Sequence, residues 1–144
     1  MILLVLDFEC SQKVQPHNRY TYTEAAQRIK KLANALSKFG IGIGDRVGTI
    51  AWNGYRHFEL YYGASGQGAV LHTVNPRLQP EQISYVVNHA ENKLLFVDLT
   101  FFSAVEKILP TFKTVRGVVV MTDSAHMPPT TRSDVMCYED FIAG

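Results

Sequence analysis

Cysteine is almost missing from this chain. Cys10 and Cys137 are the two it has in 144 residues, nearly the whole sequence apart and without a CxxC pair. That excludes a disulfide-stapled miniature domain and a cysteine-rich zinc module, and fits buried thiols in a reducing compartment. Charge of one sign is also lacking: 14 basic residues against 13 acidic leave a formal net charge of +1. With no basic stripe interleaved with aromatics, neither nucleic acid nor an anionic membrane surface is indicated as partner. Long apolar runs are absent too. The opening Met1-Ile-Leu-Leu-Val-Leu6 stops at Asp7 and has no basic residues before it. It is too short for a secretory core or a transmembrane helix and reads as a strand. The chain is therefore expected to have no transmembrane segment and to be cytoplasmic or peripheral to a membrane.

Reactive motifs are equally scarce. No GxSxG elbow occurs, and His17, His57, His72, His89 and His126 have no metal-ligand spacing. Gly40-Ile-Gly-Ile-Gly44 with Gly48 resembles a dinucleotide loop only superficially. Such a loop follows a strand and opens a helix, whereas these glycines follow a helix and precede a strand. They read as a helix stop and turn. Glu24, Glu81 and Glu91 fall at helix ends, where capping explains them better than acid–base work. Tyr61-Tyr62 and Phe101-Phe102 read as core aromatics, Arg28 as a cation off the apolar helix face, and Ser65 as a small residue for close packing.

What the sequence has is alternation. At 47% hydrophobic and 19% charged it is ordinary globular material of one-domain size. Residues 2–8 and 19–22 have strand character, joined by a polar loop through Gln15-Pro16-His17-Asn18. Thr21-Tyr-Thr-Glu24 forms a capping box. The helix after it places Ala25, Ile29, Leu32, Ala33 and Leu36 on one face and ends at Gly40. A buried strand is expected over 46–51, then a helix over 55–66 capped by Asn53, with Gly63, Ala64 and Gly66 letting it lie close on a sheet. Next come a buried strand over 69–74, a sharp Asn75-Pro76 turn, a helix opening at Pro80, a strand over 93–98 and a helix ending at Pro110. A strand over 117–121, a surface loop over 122–136 and a short helix from Tyr138 complete the chain. Strands alternating with helices of about a dozen residues imply a parallel sheet with right-handed crossovers. Their continuous apolar runs fit burial on both faces. The expected fold is α/β, three-layered and doubly wound, with a mainly parallel sheet.

One charged residue stands out as a site candidate. Arg77 follows the carboxyl end of a strand, where open α/β sheets place their ligands, and its guanidinium fork suits an anionic group.

Several segments, in order, carry a family resemblance. They are Arg19-Tyr-Thr-Tyr-Thr-Glu24, Leu36 to Gly40 with Gly44-Asp-Arg-Val47, Ala51-Trp-Asn53, Gly68-Ala-Val-Leu-His-Thr-Val-Asn-Pro-Arg77 and Leu94-Leu-Phe-Val-Asp98. From about Arg19 to Asp123 the chain resembles the AMP-forming, adenylate-forming acyl-CoA synthetases, with Trp52-Asn53 and His72-Thr73 nearest the medium- and long-chain fatty-acid branch. The resemblance implies the N-terminal subdomain of that enzyme fold over residues 1–144, and a parent reaction that uses ATP, Mg²⁺, coenzyme A and a fatty acid. It implies that Arg77 lies toward the coenzyme A side. The family's phosphate loop with its lysine has no counterpart, since 122–136 contains neither glycine nor lysine, and the later ribose-binding acid and C-terminal lysine are missing as well. No catalytic residue, metal ligand or cofactor is therefore expected of this chain by itself, and it is expected to be inactive alone. Its expected partners are the remainder of the ligase, or a second copy through exposed apolar surface. The alternative is a stand-alone α/β binding or regulatory module derived from such an enzyme.

Overall fold

The structure is a computed structural model that describes residues 5–8 and 18–144, with side-chain surroundings from residue 19 onward. Cys10, the start of the opening apolar run and the polar turn through Gln15-Pro16-His17 lie outside the described residues. β1 (Val5–Phe8) and β2 (Asn18–Thr21) pair antiparallel as a separate ribbon. The main body follows as α1 (Tyr22–Phe39), β3 (Arg46–Ile50), α2 (Tyr55–Gly66), β4 (Val70–Thr73), α3 (Pro80–His89), β5 (Leu94–Asp98), α4 (Leu99–Ile108), β6 (Val118–Met121), β7 (Val135–Cys137) and α5 (Tyr138–Ala143). Its five strands run in the order β4-β3-β5-β6-β7, every pair parallel.

Alternation along the strands sends side chains to two faces and thereby makes two cores. On one face Val47, Leu94, Phe96, Val119 and Met121 pack with Leu32 and Leu36 of α1, Leu60 and Ala64 of α2, and Tyr138 and Ile142 of α5. On the other, Ile50, Leu95, Val97, Val118 and Val120 pack with Ile83 and Val87 of α3 and Phe102 and Val105 of α4. This is the three-layered, doubly wound α/β arrangement expected from the sequence.

Local signals explain the element boundaries. Thr21 accepts from the Glu24 amide and Glu24 from the Thr21 amide, the reciprocal capping box that opens α1. Gly40 closes α1 at φ 87°, the left-handed conformation that glycine adopts without a Cβ clash. A second reciprocal box at Gln79 and Gln82 opens α3, with Pro80 in its first turn.

Four expectations need correcting. Asn53 does not cap α2; Gly54 holds that position and offers no side-chain acceptor. Gly63 lies against α1 rather than the sheet, since a Cβ there would meet Leu32 Cδ2 at 2.7 Å. The segment read as a loop to residue 136 contains the start of β7, whose Val135 and Met136 pair with Val118 and Val119 of β6. Three strand residues bounded by polar chain leave too short a pattern to detect. Finally, β4 is a sheet edge rather than a strand buried on both sides, and Val70 is half exposed.

Candidate functional site

The strand order fixes where a ligand crevice belongs. β3 leads through α2 to β4 on one side, while β5 leads through α4 to β6 on the other. Between the carboxyl ends of β3 and β5 the chain changes direction, and at such a switch point the flanking loops part and leave a cleft. Trp52 and Asn53 leave β3 at this point, and Asp98, Leu99 and Thr100 leave β5. The indole Nε1 of Trp52 donates to Thr100 Oγ1 at 3.0 Å, and its ring lies 4.9 Å from that of Phe101, bridging the two loops. Thr100 is held in turn by Asp98, whose Oδ1 accepts from the Thr100 amide and hydroxyl, each at 2.9 Å. The buried carboxylate thus caps α4 and orients the bridge.

His57, in the first turn of α2, lies beside this crevice. It is 5% exposed, its ring nitrogens are shielded from solvent, and the Trp52 backbone is the polar group beside the ring. Burial pushes its pKa below the ordinary histidine value, with the Trp52 backbone and the charge of Asp98 opposing the shift. The imidazole is accordingly neutral at pH 7. Its ring lies 5.0 Å from that of Tyr61 one turn on. Asn53, Gly54, His57, Phe58 and Tyr61 line a pocket of about 230 Å³.

A second cluster ties the helices of the same face together. Glu59, wholly buried on α2, accepts from Tyr20 Oη at 3.1 Å, Tyr138 Oη at 2.6 Å and Arg28 Nε at 2.6 Å. Arg28 also donates to Glu139 Oε2 at 2.9 Å, and Arg56 Nε donates to Glu139 Oε1 at 2.8 Å. Two cations meet two anions, so the cluster is neutral while joining β2, α1, α2 and α5. Its effects on titration follow from burial and proximity. Burial and the neighbouring Glu59 carboxylate raise the Tyr138 and Tyr20 hydroxyls well above the usual range. Tyr55 is pushed up to about 12, mainly by burial. Burial works against the charge of Arg28, yet Glu59 and Glu139 more than reverse it and hold the guanidinium ionised. Burial likewise raises Glu139, and Arg28 and Arg56 overcome it, leaving the carboxyl below its ordinary value.

That last direction has a consequence for acid stability. A carboxylate depressed in the folded state contributes stability above its unfolded value, about 4.3 for glutamate, and loses it as pH falls through the folded value. Asp45, beside Lys93, and Asp134, beside Arg132, are depressed in the same direction. The urea midpoint is expected to hold from pH 7 to 5 and to fall steeply below about 4. In Glu139→Gln that slope should be shallower and the pH 7 midpoint lower. An unchanged slope would show that Glu139 is not a controlling group.

The residues singled out from the sequence are scattered. Arg77 is exposed in the loop after β4, where its amide donates to Asn75 Oδ1 at 2.9 Å in an Asx turn. No ion pair of its guanidinium occurs among the described residues. His72 is not beside His57; it hydrogen-bonds the buried Asn92. Tyr61 and Tyr62, read as core, are 47% and 57% exposed. Arg28, read as a cation off the apolar helix face, is half-buried and joins the cluster through Glu59. Among the described residues no group of three or more histidine, cysteine or acidic side chains is placed to hold a metal ion, and no helix is long and apolar enough to cross a membrane.

Comparison with known proteins bears on this architecture. Residues 6–138 match the family of AMP-binding enzymes. The chain is 47% identical over 108 residues to a long-chain-fatty-acid–CoA ligase of Thermus thermophilus, covering 75% of this chain and 20% of that protein. It is 41% identical over 138 residues to a medium-chain-fatty-acid–CoA ligase of Ectopseudomonas oleovorans, covering 96% of this chain and 25% of that protein. The solved coronafacic acid ligase of Pectobacterium brasiliense superposes with a TM-score of 0.79 at 16% identity, over 88% of this chain and 25% of that one, and shares the fold. The chain thus spans about a fifth to a quarter of the length of the curated relatives it matches. The matched residues take in the switch-point crevice and most of both cores, and the chain belongs to the AMP-binding enzyme family.

Proposed function

We propose that this chain is the N-terminal part of a ligase that joins a fatty acid to coenzyme A, and that by itself it is a scaffold without adenylating activity. The observation that carries the reading is 41–47% identity to ligases named for medium- and long-chain fatty acids. In the parent reaction a carboxylate attacks the α-phosphate of ATP, releasing pyrophosphate and forming an acyl-adenylate, and the thiol of coenzyme A then displaces AMP. The residues present do not fit a triphosphate. The chain after β6 forms a short 3₁₀ turn at Ser124–His126 and then β7, and 122–136 has neither a glycine-rich cradle nor a lysine for it. We therefore assign no step to this chain's own side chains. Its contribution is to hold the carboxyl ends of β3, β4 and β5 in register, with Arg77 after β4 on the coenzyme A side.

Among the described residues β4 pairs with a strand on one side only, and this edge with the exposed Val70, Tyr61 and Tyr62 favours a part that packs against further protein over a stand-alone module, which needs its edge covered. The test is pyrophosphate exchange into ATP by the 144-residue chain, given octanoate or palmitate with Mg²⁺. No exchange above the blank is expected, and exchange would overturn the scaffold reading. In the same preparation coenzyme A is expected to raise the unfolding midpoint and Arg77→Ala to abolish that rise. An equal rise in the variant removes Arg77 from the coenzyme A side.

A further inference from the structure

The turn from β3 into α2 contains the one Asn-Gly pair of the sequence, Asn53-Gly54. An asparagine side chain is open to attack by the backbone nitrogen of the residue that follows it. The attack closes a five-membered ring. It runs fastest where the side chain is exposed, the backbone lies outside regular structure, and the following residue has no Cβ to restrict it. Every other asparagine lacks at least one of these conditions. Asn75 precedes Pro76, which has no N–H to become the nucleophile. Asn92 is fully buried and hydrogen-bonded to His72. Asn88 is held at both ends of its amide, by the Thr111 carbonyl and the Lys113 N–H. Asn34 lies inside α1, where the next amide belongs to the helix ladder, and Asn18 lies in β2 before Arg19.

Asn53 meets all three conditions. It is exposed, it lies between β3 and α2, and its side chain makes no hydrogen bond among the described residues. Gly54 follows it at φ −116°, and a Cβ there would meet nothing within 4 Å. The Gly54 amide donates to the Trp52 carbonyl at 2.9 Å, a bond across two residues that belongs to neither the strand ladder nor the helix. It can therefore open without unfolding either element.

We propose that Asn53 is a site of spontaneous deamidation. The Gly54 nitrogen gives up its proton to base and attacks Asn53 Cγ. A C–N bond forms, the side-chain nitrogen leaves as ammonia, and a succinimide results. Water then opens that ring at one of its two carbonyls. Opening at Cγ gives aspartate; opening at the main-chain carbonyl gives isoaspartate, with the backbone rerouted through Cβ. Overall, one water enters and one ammonia leaves. Either product places a carboxylate ahead of the first turn of α2, where the positive end of the helix favours it. Isoaspartate also lengthens the main chain between Trp52 and Gly54 by one carbon. Trp52 holds Thr100 across the crevice, so this product is expected to break that bridge. None of this depends on the ligase reading.

The test is storage of the folded chain in mildly alkaline buffer, followed by ion exchange and peptide mapping by mass. More acidic species are expected, with the amide-to-acid mass change confined to the peptide that contains Asn53. An isoaspartyl methyltransferase with S-adenosylmethionine should then label the isoaspartyl form. Trp52 is the one tryptophan, so its emission should change in that form and stay as it was in Asn53→Asp. Equal emission in the two would overturn the claim that the bridge breaks. Gly54→Ala should slow the conversion at least about tenfold, because a Cβ restricts the backbone that must close the ring. Should that variant misfold, Asn53→Gln, whose longer side chain needs a six-membered ring, should keep its amide. The proposal is overturned if Asn53 stays intact in the folded chain while a peptide of residues 50–57 converts. It is overturned equally if another asparagine converts first, or if Gly54→Ala converts at an unchanged rate.

Discussion

Arg28→Met is expected to lower the unfolding midpoint by roughly 10–20 °C. The reason is Glu59. Its carboxylate is fully buried and takes two of its four hydrogen bonds from Arg28, at Nε and Nη2, the others coming from the Tyr20 and Tyr138 hydroxyls. Tyrosine hydroxyls donate hydrogen bonds but bring no charge. Removing the guanidinium leaves an uncompensated anion in a low-dielectric core, which costs about 3–5 kcal/mol. That is a large share of the 5–15 kcal/mol typical of a whole domain. The control is Arg28→Met combined with Glu59→Gln. This removes both charges of the pair, the half-buried guanidinium and the buried carboxylate, keeps an acceptor for the tyrosines and leaves Arg56 and Glu139 as a balanced pair, so it should recover most of the loss. A drop under about 1 kcal/mol in Arg28→Met would place the pair with ordinary surface ion pairs and refute the buried-anion account.

The same cluster shows where the sequence is legible and where it is not. Period and punctuation carried the α/β layering, because Leu94-Leu-Phe-Val-Asp98 and Val118-Val-Val-Met121 are apolar without alternation, and a strand covered on both faces requires this. The Thr21–Glu24 box and Gly40 were legible for a similar reason: each acts on the backbone within a few residues of itself. The partners of Arg28 were not legible because they lie 31 and 111 residues away. Nothing in its own window says that a carboxylate waits across the helix interface. Glu59 was hidden by its neighbours on α2, where Arg56, His57 and Glu59 look like a solvated face and are all buried. Tyr61 and Tyr62 failed in the opposite direction, since aromatic character predicts burial only when another element covers the face. His57 had one usable signal, its place just after a strand end at the turn into a helix. The strand order is what turns that place into a switch point, and order is a property of the sheet.

Gly63 and Leu32 are expected to behave as one unit, and the size of the effect follows from how closely α1 and α2 approach. A Cβ on Gly63 would lie 2.7 Å from Leu32 Cδ2 and 3.0 Å from its Cγ, inside any real contact distance. Leu32 has nowhere to retreat: it is fully buried among Leu36, Leu60 and Ala64 against the sheet. Gly63→Val should therefore cost about 1–3 kcal/mol through overpacking, although valine gains roughly a few tenths of a kcal/mol over glycine inside a helix. Leu32→Ala should cost about 2–5 kcal/mol, because it opens a cavity at the junction of α1, α2 and the sheet. In the double variant the valine occupies the space the leucine vacates. The combined loss should then fall at least 1 kcal/mol short of the sum of the two singles, the scale on which contacting residues couple. Urea unfolding of the four proteins closes the cycle. If the two losses simply add, the helices have moved apart to admit the valine, and the contact between Gly63 and Leu32 is not what sets their separation.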